Sequence, residues 1–210
     1  MVPATKQSPS TTTNPVWMPY TIPPRSWIRV TFLGWLLGIL IVIALAFVTE
    51  MFGIRAAQVP VGLGMGLGVG IAQERALRPF LGEGSGWPRA SALGLALPFL
   101  VVDFARLLGT PLPYSLYPAV AVGGIAAGAA QASVLRPLPI RAAPWILASA
   151  AGWASGAFLV AAADSLGDIP GLRGIEGAIL YLALVAMGGI VLGAVTSIPL
   201  RQLAMQEQPN

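Results

Sequence analysis

The sequence predicts an all-α integral membrane protein of six transmembrane helices arranged as three pseudo-repeated helical hairpins. Three observations carry that expectation. The 210 residues are 56% hydrophobic and 10% charged, with a mean hydropathy of +0.76, whereas soluble domains carry about 25% charged residues. Continuous apolar windows of about 19 residues, the length that crosses ~30 Å of hydrocarbon, fall at about 30–48, 60–78, 90–108, 118–136, 145–163 and 178–200. Finally, one motif recurs, Gly-x3-Gly-x2-polar-x3-Leu-Arg. Its copies are Gly66, Gly70, Gln73, Leu77-Arg78; Gly124, Gly128, Gln131, Leu135-Arg136; and Gly189, Gly193, Thr196, Leu200-Arg201. Upstream of each stands Trp-x6-Gly, from Trp27 to Gly34, Trp87 to Gly94 and Trp145 to Gly152. A repeat of this length marks one supersecondary unit used several times.

In chain order, residues 1–24 are rich in Pro, Ser and Thr without apolar periodicity and are expected to form a disordered or extended cytoplasmic tail. The segment resembles a signal-peptide n-region, with Ala44-Leu45-Ala46 as a weak cleavage site. Retention is the better expectation, because removing the first helix would orphan half of the first repeat. A six-helix membrane domain follows over residues 25–201, with hairpins at about 25–78, 85–136 and 143–201, and residues 202–210 form a second cytoplasmic tail. The odd helices begin at the tryptophans. The even helices end at Leu-Arg, where arginine complements the carboxyl-end dipole and Pro79 or Pro137 stops the helix. Gly and Pro punctuate the connections at 109–115 and 167–174, as turns require.

Charge sets the orientation. Lys6, Arg25, Arg29, Arg75, Arg78, Arg89, Arg136, Arg141 and Arg201 lie before odd or after even helices. Arg55, Arg106 and Arg173 lie on the other side with Glu50, Asp103, Asp164, Asp168 and Glu176. The positive-inside rule then puts both termini in the cytoplasm. Arginines spread over helix ends do not make the clustered basic face that nucleic-acid binding needs. The runs are continuous and Ala-, Gly- and Leu-rich, unlike the alternating ten-residue strands of a β-barrel. The absence of cysteine and histidine removes thiolate chemistry, iron–sulfur clusters, the commonest metal ligands and the usual proton shuttle, so no cofactor or metal is expected.

Gly66 and Gly70, Gly124 and Gly128, and Gly189 and Gly193 are expected to be helix-packing residues. At about 100° per residue they share a face with Gln73, Gln131 and Thr196 respectively, and small residues let membrane helices approach closely. In the second helix Gly64 and Gly68 form another ridge nearly opposite Gly62, Gly66 and Gly70, which predicts close neighbours on both sides. Gln73, Gln131 and Thr196 form a candidate polar seam, either interhelical glue or a polar constriction where three even helices meet. Trp27, Trp87 and Trp145 read as interfacial anchors. Asp103 and Arg106 are a candidate intramembrane charge pair, three residues apart on one face, with Pro98 upstream to kink the helix and widen a cavity. Glu74 and Arg78 read as an interfacial ion pair. Asp164, Asp168, Arg173 and Glu176 read as a solvated outer loop. The stretch GLGMGLGVG matches G-x-G-x-x-G only superficially, since a phosphate cradle needs a strand before it and a helix after it.

A Gly-rich helix ending Gln-x3-Leu-Arg, then a short loop and a helix opening Trp-x6-Gly-Trp, resembles a loose set of uncharacterised bacterial multi-pass membrane proteins. The resemblance is best over Gly124 to Trp153. It implies the bacterial cytoplasmic (inner) membrane and brings no activity with it. The three-hairpin plan also looks like that of the mitochondrial carriers, but their Pro-x-Asp/Glu-x-x-Lys/Arg signature is absent. Shared plan is not shared function.

The expected role is a non-catalytic structural or accessory subunit that meets the lipid bilayer and a membrane-protein partner or a second copy, with no nucleic acid. The alternative is a small-solute transporter or channel, its pathway along the pseudo-symmetry axis and lined by Gln73, Gln131, Thr196, Asp103 and Arg106. An enzyme would need Asp103 gathered with Asp164 or Asp168 around a metal.

Overall fold

The computed structural model describes residues 22–54, 56–112, 116–166, 169 and 174–201. The expected tails at 1–21 and 202–210, and Lys6, Arg55, Asp168 and Arg173, lie outside these residues. The protein is all-helical: α1 (Pro24–Met51), α2 (Val59–Leu81), α3 (Trp87–Leu107), α4 (Leu116–Val134), α5 (Ala142–Ser165) and α6 (Ile175–Leu200). Four of these, α1, α3, α5 and α6, are long and apolar enough to cross a membrane. Of the other two, α2 carries Gln73, Glu74, Arg75 and Arg78 near its end, and α4 is largely Gly and Ala.

Proline opens α1, α2 and α3, through Pro24, Pro60 and Pro88. Its missing N–H is one that a first helical turn leaves unpaired in any case. Pro79 does not stop α2 as expected; the helix runs two residues further and ends at Gly82, whose φ of 75° turns the chain away. Pro79 and Arg75 are both exposed at this end, so water can take the carbonyl that the proline cannot satisfy. Likewise α3 continues through Pro98 to Leu107.

Each helix packs on its neighbours in the chain, and α6 closes onto α1. The pairing of contacts makes every neighbour antiparallel. In α2, Gly62 faces Leu95 and Phe99, Gly66 faces Ser91 and Ala92, and Gly70 faces Pro88. In α6, Gly189 faces Phe32 and Trp35, and Gly193 faces Ile28 and Thr31. The result is a closed six-helix ring.

The two glycine motifs build different seams of that ring. The glycine seven residues after each tryptophan joins an odd helix to the even helix that follows it: Gly34 lies on Val69 and Ala72, Gly94 on Ala127, and Gly152 on Leu192. The Gly-x3-Gly pairs join an even helix to the next odd one: Gly66 and Gly70 to α3, Gly124 and Gly128 to α5, Gly189 and Gly193 to α1. α2 is sandwiched as its two ridges predict, with Gly64 and Gly68 against α1 and Gly62, Gly66 and Gly70 against α3. A Cβ on Gly66 would stand 2.5 Å from the Ser91 carbonyl oxygen and 2.7 Å from the Ala92 Cα. Backbone cannot yield as a flexible side chain can.

Two apolar layers fill the interior. One, at the start of the odd helices, holds Trp27, Leu77, Trp87, Leu135, Trp145 and Leu200; the other, further along, holds Trp35, Met65, Val69, Leu95, Phe99, Trp153 and Leu192. Arg25, Arg29, Arg75, Arg78, Arg89, Arg136, Arg141 and Arg201 are all exposed around the first layer. Among the described residues only Arg106 lies at the far end, with Glu50, Asp103, Asp164 and Glu176.

Gly68→Ala tests the seams, because its Cβ would meet the Gly38 backbone N and Cα. Overpacking of this kind costs about 1–3 kcal/mol, so the thermal midpoint of the purified protein falls. Ala129→Leu, on the exposed face of α4, leaves it unchanged.

Candidate functional site

The seams that carry Gly-x3-Gly also carry the buried polar side chains. Trp87 Nε1 donates to Gln73 Oε1 (3.2 Å), Trp145 Nε1 to Gln131 Oε1 (3.1 Å), and Trp27 Nε1 to Thr196 Oγ1 (2.9 Å). The two glutamines use their amide nitrogens as well. Gln73 Nε2 donates to Thr31 Oγ1 (3.1 Å), and Gln131 Nε2 to Ser91 Oγ (2.8 Å). Gln73 therefore ties α1, α2 and α3 together, and Gln131 ties α3, α4 and α5.

The third seam is a reduced version. Thr196 accepts from Trp27 but turns its own proton back to Leu192 O (2.7 Å), within α6. Ser149 holds the place that Thr31 and Ser91 hold, four residues after a tryptophan, and donates instead to Gly124 O (2.9 Å). Threonine is too short to bridge two neighbours.

The tryptophans are not interfacial anchors. Trp27 and Trp87 are 0% exposed and Trp145 1%, and they meet one another inside the ring. Ring centroids of Trp27 and Trp145 are 6.2 Å apart at 75°, and those of Trp87 and Trp145 are 5.4 Å apart at 64°, edge-to-face geometry that aromatic quadrupoles favour. Each indole turns inward because the neighbouring helix offers its N–H an acceptor there. Leu77, Leu135 and Leu200 pack against the indoles, while the arginine after each faces out. The polar seam therefore brackets a tryptophan cluster, and Gln73, Gln131 and Thr196 sit at three separate seams around it. Thr31, Ser91 and Ser149 are the members that sequence reasoning missed. Their signal was Trp-x3-Ser/Thr, present at the same place in all three copies.

Further along the interior, away from the arginines, is a cavity of about 330 Å³ whose walls come from all six helices. They include Trp35, Met65, Phe99, Val120, Trp153 and Val185. Trp35 and Trp153 lie with ring centroids 5.8 Å apart. Tyr181, with Asp164 nearby, is the other wall residue with a polar side-chain group. Ile43 of α1 and Leu182 of α6 line this cavity and are also 61% and 64% exposed, so it opens between those two helices.

Asp103 and Arg106 serve the α1–α2 connection rather than each other. The Asp103 carboxylate accepts from Gln58 N (2.9 and 2.8 Å to its two oxygens) and Val59 N (2.8 Å), so it caps α2 from a neighbouring helix and complements its dipole. Arg106 Nη1 donates to Ala56 O (2.6 Å), fixing a residue with φ of 54°, the one non-glycine at positive φ among the described residues. Glu74 and Arg78 also part company. Glu74 accepts from Ser85 Oγ (3.0 Å), and Arg78 pairs with Glu83 (3.0 Å) across the turn that Gly82 makes. Among the described residues no group of three or more acids is placed to hold a metal ion.

Compared with family models, curated proteins and solved structures, the chain matches none of them.

Interhelical side-chain bonds in membranes are worth about 0.6 kcal/mol each. Gln131→Leu removes two and Thr196→Val one, so the first variant loses roughly twice the stability of the second in chemical unfolding. Asp103→Asn weakens the charged cap on α2 by about 1 kcal/mol. That loss is local, and amide exchange quickens at Gln58 and Val59 while Trp-layer amides keep their protection.

Proposed function

We propose that the chain is a non-catalytic integral membrane protein with six spans, three repeated hairpins about an axis along the membrane normal, and both termini on the cytoplasmic side of a bacterial inner membrane. Its role on this reading is that of a structural or accessory subunit. The observation that carries it is the fate of the polar side chains. Gln73, Gln131, Thr196, Asp103 and Arg106 are each engaged in holding one helix to another or a loop to a helix, and the tryptophan cluster fills the interior at the arginine-bearing end.

That arrangement weighs against the alternative of a small-solute pathway, which needs polar groups free along the axis. The large side chains that remain outward favour contact with lipid or another membrane protein. They include Leu40, Phe47, Ile179 and Leu182 on α1 and α6, each more than half exposed. The spread of arginine toward one end of the ring supports the orientation.

Photo-cross-linking in intact membranes tests this reading, with a benzophenone amino acid at Leu40, Phe47 or Ile179. The expected outcome is one discrete protein product, a partner or a second copy, formed in high yield. Products with lipid alone at all three sites, together with uptake of a polar solute by reconstituted vesicles, would favour the transporter instead.

A further inference from the structure

The interior cavity offers an occupant carbon on nearly every side. Ile39, Val42, Met65, Phe99, Val120 and Val160 are among its walls, and none of the residues lining it is charged. Two of them carry a polar group, Trp35 and Tyr181. The Trp35 Nε1 is enclosed by the protein, out of reach of an occupant, and Tyr181 stands at the edge, 39% exposed. Apolar cavities stay dry, while walls with no atoms against them forfeit dispersion contacts. Such a space favours apolar matter over water.

What can reach it depends on the depth of its opening. Close contacts between α1 and α6 run from Ile28 to Trp35 on α1; beyond these, Ile43 and Leu182 line the cavity and are also exposed outside. The 28 residues of α1 extend ~42 Å, the full thickness of a bilayer with its headgroups, ~40–45 Å. Ile43 stands eight residues before the end of α1 at Met51, and Leu182 seven after the start of α6 at Ile175, which is ~10–12 Å in from that end. The headgroup region takes only ~5–7 Å of each side. The opening therefore faces lipid tails.

We propose that the cavity binds one acyl chain of a bilayer lipid, which enters sideways between α1 and α6 and lies against Phe99 and Trp153. Since ~150 Å³ takes up the six carbons of benzene, the volume of about 330 Å³ has room for about a dozen carbons. A partner helix is too thick. Two turns of it, ~11 Å long and ~10 Å across, take up more than twice that space. The inference rests on the membrane reading of the protein and is independent of any protein partner.

The test uses the full chain in phosphatidylcholine nanodiscs doped with the same lipid bearing a diazirine at the end of one acyl chain. After illumination, the labelled residues are mapped by peptide mass spectrometry. Bulk lipid reaches Leu93 and Phe158, 66% and 62% exposed, but not Phe99 and Trp153, 0% and 4% exposed. All four are labelled if a chain lies inside. Val160→Phe, which fills the cavity from a half-buried wall position, abolishes labelling of Phe99 and Trp153 and leaves Leu93 and Phe158 labelled as before. Ile43→Trp combined with Leu182→Trp crowds the opening from its exposed rim and lowers the interior labelling in the same selective way. Label confined to exposed residues of the unaltered chain, or interior label undiminished in either variant, overturns the proposal. A chain recovered in the aqueous fraction without detergent would overturn the membrane reading itself.

Discussion

An indole N–H shut away from water is costly to leave without an acceptor, and much of this architecture follows from supplying one three times. Trp27, Trp87 and Trp145 each reach across a helix boundary to Thr196, Gln73 and Gln131. That reach fixes the register between an even helix and the next odd helix. It also needs the backbones close, which is why the acceptor stands three residues after Gly-x3-Gly. The glycines bring the helices within range and the hydrogen bond sets the depth at which they stop. The tryptophans, so aligned, meet edge-to-face and leave no gap for water among them.

The ring is not equally braced all round. Gln73 and Gln131 each hold three helices, whereas Thr196 holds two. Thr196 keeps its bond to Trp27 across the α6/α1 joint and lacks the counterpart toward Ser149, so the side-chain brace is missing between α5 and α6. The α6/α1 joint lacks a chain connection, and its far half leaves Ile43, Phe47, Ile179 and Leu182 exposed. This seam is where the interior cavity opens.

Much of the architecture was legible because hydropathy and spacing act over many residues. All six expected windows overlap observed helices, and the two ridges of α2 face α1 and α3. The glycines of the repeat pack helices as their spacing implies. Side-chain direction was less legible. A tryptophan near a helix start beside arginines has the same local sequence whether it faces a headgroup or a neighbouring glutamine, and only the closure of α6 onto α1 supplies the partner for Trp27. Asp103 and Arg106 looked functional by their depth, but their partners are backbone groups 44 to 50 residues earlier in the chain. Glu74 and Arg78 had the right helical spacing for an ion pair, yet the turn at Gly82 brought each a nearer partner. The cavity had no sequence signal, since its walls are single residues drawn from every helix.

The three indole bonds differ in when they can form. Gln73 precedes Trp87, and Gln131 precedes Trp145, by 14 residues each, so in both cases the acceptor leaves the ribosome first and its donor follows within one short connection. Trp27 is 169 residues ahead of Thr196. The first of the three donors to be synthesised is the last to be satisfied, and the ring stays an open arc with one bare indole until the sixth helix arrives. Arrival of α6 and closure of the ring are then a single event, with Thr196 as its latch.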